Sequence, residues 1–145
     1  MTPLLAAALE IQGVCDRRGW KSCIIGGIAV LRWGEARFTR DVDLTLLTGF
    51  GNELEFIETI LNSGYRGRIS DATGFALLHR VLLLESPNDI PIDISLAGFP
   101  FESIAIDRAT LFEFAPGCKL RTCSAEDLMV QKLGSSGKSV GDRER

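Results

Sequence analysis

The sequence predicts an α/β fold of the α+β kind, a short mixed β-sheet with helices packed against it, and three observations predict it. Segments whose apolar residues recur at helical spacing are interleaved with short runs that alternate every second residue. Two of those runs, DVDLTLLT at 41–48 and IPIDISLA at 90–97, carry acids on one face and aliphatic side chains on the other. A glycine pair, Gly26-Gly27, stands between a buried strand-like run and a helix-like one. The chain of 145 residues is long enough for a single hydrophobic core. Residues 1–133 read as that core domain; residues 134–145, GSSGKSVGDRER, read as a flexible tail.

Taken in order, Thr2 and Pro3 form a helix start, and Leu4, Leu5, Ala8, Leu9 and Val14 supply an apolar stripe that ends at Arg17-Arg18-Gly19. KSCIIGG is a buried strand closing on two glycines, and IAVLRW after them is a short helix stopped by Gly34. In DVDLTLLT, Val42, Leu44 and Leu46 face one way and Asp41, Asp43 and Thr45 the other. Residues 52–63 form a helix with Asn52 as cap, Leu54, Ile57, Ile60 and Leu61 as its apolar face, and Gly64 as its stop. FALLHRVLLLE, the turn SPND and IPIDISLA read as an antiparallel hairpin, with His79 packed in its first arm. If the second arm lies beside DVDLTLLT, Asp93 shares a side with the first two acids. ESIAIDRATLFEF reads as a helix or loop leading to a strand, CKLRTC as another strand, and SAEDLMVQKL as a helix capped by Ser124 with Asp127 three residues on.

Composition narrows the function. A formal net charge of −3 lacks the concentrated basic face that nucleic-acid binding needs, so any such contact falls to local arginines, of which Arg37, Arg40, Arg66 and Arg68 flank the acidic runs. No apolar run is long enough to span a membrane and the N-terminus lacks the pattern of an export signal, so the expected location is cytoplasmic. Cys15, Cys23, Cys118 and Cys123 have no CxxC spacing, which points to reduced thiols rather than a zinc site.

Asp41 and Asp43, at i and i+2 of a strand, lie about 7 Å apart at the backbone and repel each other unless a cation sits between them. A hard divalent ion such as Mg2+, with Mn2+ as an alternative, suits oxygen-only donors and substrate phosphates. With Asp93 as a third carboxylate, two ions support in-line displacement at phosphorus. Gly26 and Gly27, at a helix start, leave backbone N–H groups open to a phosphate. Arg37 and Thr39 share the parity of Asp41 if the strand begins early, which aims both at the same place, while Arg40 faces away.

GGIAVLRWGEARFTRDVDL resembles, in order and spacing, the signature of the minimal nucleotidyltransferases of the polymerase-beta-like superfamily. RFTRDVDL and SAEDLMVQKL further resemble the nucleotidyltransferase toxins of abortive-infection toxin–antitoxin systems, and the likeness spans roughly residues 20 to 133. The resemblance implies the nucleotidyltransferase fold and transfer of an NMP from an NTP to a hydroxyl acceptor, with pyrophosphate released. It implies Gly26 and Gly27 on the nucleotide phosphates, Asp41, Asp43 and Asp93 as metal ligands and catalytic acids, and Lys132 reaching the triphosphate. It also implies a cognate antitoxin, an acceptor that is a tRNA, a protein side chain or a small molecule, and further helices where this chain stops. Gly27 stands where many relatives have serine. DVDLT also satisfies a haloacid-dehalogenase-like phosphatase motif, with Asp41 as nucleophile and Asp43 as acid, although EARFTR rather than an apolar strand precedes it and no later paired-acid motif follows. A third reading is a non-catalytic nucleotide-binding remnant of the fold, against which the retention of three acids and both glycines speaks.

Overall fold

The computed structural model describes residues 1–34 and 38–130. The chain opens with α1 (Pro3–Arg17), whose first turn is closed by the Thr2 hydroxyl accepting from the Leu5 N–H at 3.2 Å. Gly19, at φ 71°, turns the chain into β1 (Ser22–Ile25). α2 (Gly26–Arg32) follows at once, so the helix includes both glycines instead of starting after them. β2 (Val42–Leu47) and α3 (Glu53–Leu61) come next. α3 has Asn52 at its cap position without a side-chain hydrogen bond; the Glu53 carboxylate instead accepts from the Gly51 N–H at 2.9 Å. Its buried face is Ile57 and Ile60, while Leu54, expected on that face, is 45% exposed.

The segment read as one strand arm divides in two. Residues 72–79 form α4 (Ala72–His79), and only Val81–Glu85 form a strand, β4, after the two-residue β3 (Arg66–Gly67). Asp71 caps α4 by accepting from the Gly74 N–H at 3.0 Å, and Arg80 ends it in the left-handed region at φ 61°. His79 lies in the last helical turn, exposed, with its ring 4.5 Å from that of Phe75, and not in a packed strand. The second arm is β5 (Pro91–Ala97), antiparallel to β4 as expected. α5 (Pro100–Arg108), β6 (Thr110–Ala115) and β7 (Cys118–Thr122) complete the core, and residues 125–130 form α6. At its start the Ser124 hydroxyl accepts from the Asp127 N–H at 3.1 Å and donates to the Asp127 carboxylate at 2.9 Å.

All seven strands join one mixed sheet in the order β3-β4-β5-β2-β1-β7-β6. β2 lies at its centre, antiparallel to β1 and parallel to β5. Alternation along β2 and β5 sends Val42, Leu44, Leu46, Ile92, Ile94 and Leu96 into the core beneath α1 and α3. On the opposite face a smaller cluster of Val30, Ala97, Ile106, Cys123 and Leu128 packs α2, α5 and α6 against the sheet. Asp43 and Asp93 lie on this second face, at the end of the strands where β1 gives way to α2. All four cysteines are free and buried, and burial pushes the Cys15 thiol up to about 11 and Cys23 up to about 12. Among the described residues no helix is long and apolar enough to cross a membrane.

Candidate active site

The strand register brings the sequence-distant acids together. Asp43 pairs with Ile25 of β1 on one side and with Asp93 of β5 on the other, which places these three side by side across three strands, with Gly26 directly after Ile25 and against Asp43. Paired residues on neighbouring strands present their side chains on the same face about 5 Å apart. Asp41, just before β2, completes an acidic group of three. Burial, the charge of Asp93 and the charge of Asp41, in that order, push the Asp43 carboxyl up to about 6, against the opposing pull of Arg68. The two runs of alternating aliphatic residues are therefore what aims the acids: each buried neighbour fixes the parity that leaves the carboxylates on the other face.

The glycines are required by packing. Gly26 sits at φ 65°, and a Cβ there would collide with Oδ2 and Cγ of Asp43. A Cβ on Gly27 would collide with the Thr39 hydroxyl. Thr39 and Asp43 thus lie directly against the first turn of α2, which carries no side-chain cap from Ile25 and keeps its leading N–H groups free of one.

Thr39 reaches this position by another route than the one expected. β2 begins at Val42, so residues 38–40 precede the strand and have no strand parity; the chain passes over α2 instead. Arg40 is exposed, with its guanidinium 5.2 Å from the Phe38 ring centre. Arg37 and Lys132, the other two expected phosphate ligands, lie outside the described residues.

Arg68 is a site residue that its local sequence did not single out beyond its charge. Its Nη2 donates to Oδ1 of Asp93 at 2.7 Å and its Nη1 to the Leu84 carbonyl at 2.8 Å. Arg66, the neighbour grouped with it as a basic flank, is instead paired with Asp89 and, at 3.8 Å, with Glu85. Both arginines are therefore held by carboxylates.

As they stand, no three carboxylate, thiol or imidazole groups among the described residues converge on a point that holds an ion. The donor chemistry nonetheless fits a hard divalent cation. The donors are oxygens on one face, and against the burial and like-charge repulsion that raise Asp43 the described residues set the charge of Arg68.

Comparisons with known proteins bear on the family and the fold. The family model described as "Nucleotidyl transferase AbiEii toxin, Type IV TA system" matches residues 24–135, from the end of β1 to past the last described residue. No curated protein matches the chain. In fold, the chain resembles the crystal structure of ANT(2")-Ia in complex with adenylyl-2"-tobramycin, with a TM-score of 0.64 and 22% identity over 94% of this chain and 78% of that one. It also resembles the solution structure of the antibiotic-resistance factor ANT(2")-Ia, with a TM-score of 0.61 and 22% identity over 95% and 75%. Such likeness shows the nucleotidyltransferase fold. The family match covers most of the chain and includes both glycines and all three acids: the chain belongs to the nucleotidyl transferase AbiEii toxin family of type IV toxin–antitoxin systems and is a nucleotidyltransferase.

Proposed function

We propose that the chain transfers an NMP from an NTP to a hydroxyl acceptor with Mg2+ as the working ion, as the toxin partner of a cognate antitoxin in the cytoplasm. The observation that carries this reading is the cross-strand pairing of Asp43 with Asp93 beside Gly26 and Asp41. Asp41 and Asp43 would hold the cations and Asp93 would share one of them; Mn2+ suits the same donors. When bound, two such ions would neutralise charge on the phosphates and on the attacking oxygen. The first-turn N–H groups of α2, which have no side-chain cap, would meet the triphosphate, with the Thr39 hydroxyl beside them. Arg37 and Lys132 are further phosphate ligands in this reading. Asp93 would accept the proton of the incoming hydroxyl as the acceptor oxygen forms its bond to the α-phosphorus and the bond from that phosphorus to the β-phosphate oxygen breaks, with pyrophosphate leaving. Of the other readings, the phosphatase one finds no support in the family to which the chain belongs.

The acceptor class is a tRNA, a protein side chain or a small molecule. Each of the four α-labelled NTPs, supplied with Mg2+ and cell extract, tests the reading and identifies base and acceptor together. Label from one NTP on a discrete species is the expected result, absent with Asp41→Asn and with Asp43→Asn. Release of the γ-phosphate with no transfer of the α-label would overturn it.

A further inference from the structure

Arg68 belongs to no motif, yet it is the cation closest to the acidic group for which the structure gives a distance. It follows the two-residue β3 at one edge of the sheet, where its N–H donates to the Leu83 carbonyl at 2.9 Å. From there the side chain crosses β4 to reach β5, one arm of the guanidinium on the Leu84 carbonyl and the other on Asp93. The fork is thus anchored at backbone and side chain alike. Both partners are mostly covered, with 28% and 30% of their side chains exposed, so the pair is shielded from solvent far better than Arg66 with Asp89, at 50% and 74%.

A carboxylate bound at Oδ1 by a fixed guanidinium offers a divalent ion its remaining lone pairs only beside a positive charge. An ion at Asp93 must either endure that repulsion or break the pair. Asp41 and Asp43 have no ion pair of this kind among the described residues. We propose that Arg68 is a built-in counter-ion that holds Asp93 in the metal-free chain and competes with the second cation for it. This rests on the reading of Asp93 as a metal ligand. Its consequence is that metal alone binds in two unequal steps, first at Asp41 and Asp43 and then, more weakly, at Asp93. A triphosphate relieves the competition, since it arrives with negative charge for both the ion and the guanidinium.

The probe is Mn2+ alone, followed through loss of the paramagnetic resonance signal of the free ion, with no activity measured. The unaltered chain is expected to show a tighter and a weaker site, the tighter lost in Asp43→Asn and the weaker in Asp93→Asn. In Arg68→Gln the weaker site should tighten about tenfold, the size of change that partners of metal ligands produce. Arg68→Lys, which keeps charge but loses the fork, should tighten it by about threefold, and reads the same competition should the glutamine variant fail to fold. Arg66→Gln removes equal charge from the same edge and should change nothing. Unaltered or weaker binding in both Arg68 variants overturns the proposal, as does equal tightening in Arg66→Gln. Mn2+ binding indifferent to both Asp→Asn changes would instead remove the metal reading itself, and the proposal with it.

Discussion

The residue on which most depends is Asp43, and its environment makes a prediction that separates stability from activity. Its carboxyl titrates at about 6 in the folded chain, above the ordinary carboxylate range, chiefly because it is buried and then because Asp93 and Asp41 are close. The folded state therefore holds this proton more tightly than the unfolded state. The stability that comes from it is present below about pH 4 and lost as pH rises through about 6. In metal-free buffer, Asp43→Asn should be more stable than the unaltered chain at pH 7, by on the order of 1–3 kcal/mol, with the gap closing toward pH 4. Urea unfolding at a series of pH values measures this, and a destabilised variant at pH 7 would show that the site is not under electrostatic strain. Gly26→Ala should lose about 1–2 kcal/mol from its left-handed backbone alone and also displace the Asp43 carboxylate. A thermal melt checks the first effect and loss of transfer the second. That Asp43 and Asp93 share a face was legible because alternation with Val42, Leu44, Ile92 and Ile94 fixes their parity, whereas Asp41 lies just ahead of the strand. Arg68 was not legible, because a two-residue edge strand leaves no periodic pattern from which to read its direction.

At the scale of elements, strands and helices with strong apolar periods were readable, and α4 was not, for reasons visible in its own residues. Leu77 and Leu78 are 47% and 77% exposed, so the aliphatic run FALLH has no buried stripe to mark a 3.6-residue period. Its stop is Arg80 at φ 61° rather than a glycine, and its Asp71 cap is itself left-handed. Arg80 accepts that conformation because its side chain ties three elements. Its guanidinium donates to the Leu96 carbonyl at 3.0 Å, to the Gly49 carbonyl at 3.1 Å and to Glu53 at 2.5 Å, joining the end of α4 to β5, to the loop after β2 and to the first residue of α3. Contact with Arg80 holds the Glu53 carboxyl below its usual range. Arg80→Ala should therefore destabilise the chain by about 3 kcal/mol, because two backbone carbonyls and a carboxylate lose a charged donor together. Denaturant midpoints measure it, and a loss below about 0.5 kcal/mol, the level of an ordinary surface change, would show the tie to be idle.

The whole molecule is an acidic sheet protein whose central strand, β2, carries Asp43 and whose flanks line the candidate site: β1 leads into the glycine turn, β5 brings Asp93, and the outer strands deliver Arg68. From the sequence, the shared acid-bearing alternation made β2 and β5 possible neighbours, and the structure pairs them in parallel. Sequence alone did not give the full strand order, since β1 with β7 and β3 with β4 are joined by contacts that no local pattern announces. In the proposed reading the acids and the glycine turn form one NTP and metal site. Thermal denaturation with Mg2+ and each NTP, for the unaltered chain and for Asp43→Asn, tests it most directly, each protein being compared with its own ligand-free melt. Mg2+ with one or more NTPs should raise the melting temperature of the unaltered chain by several degrees, NTP without Mg2+ should do much less, and Asp43→Asn should not respond. No shift in the unaltered chain with any NTP, or an equal shift in Asp43→Asn, would contradict it.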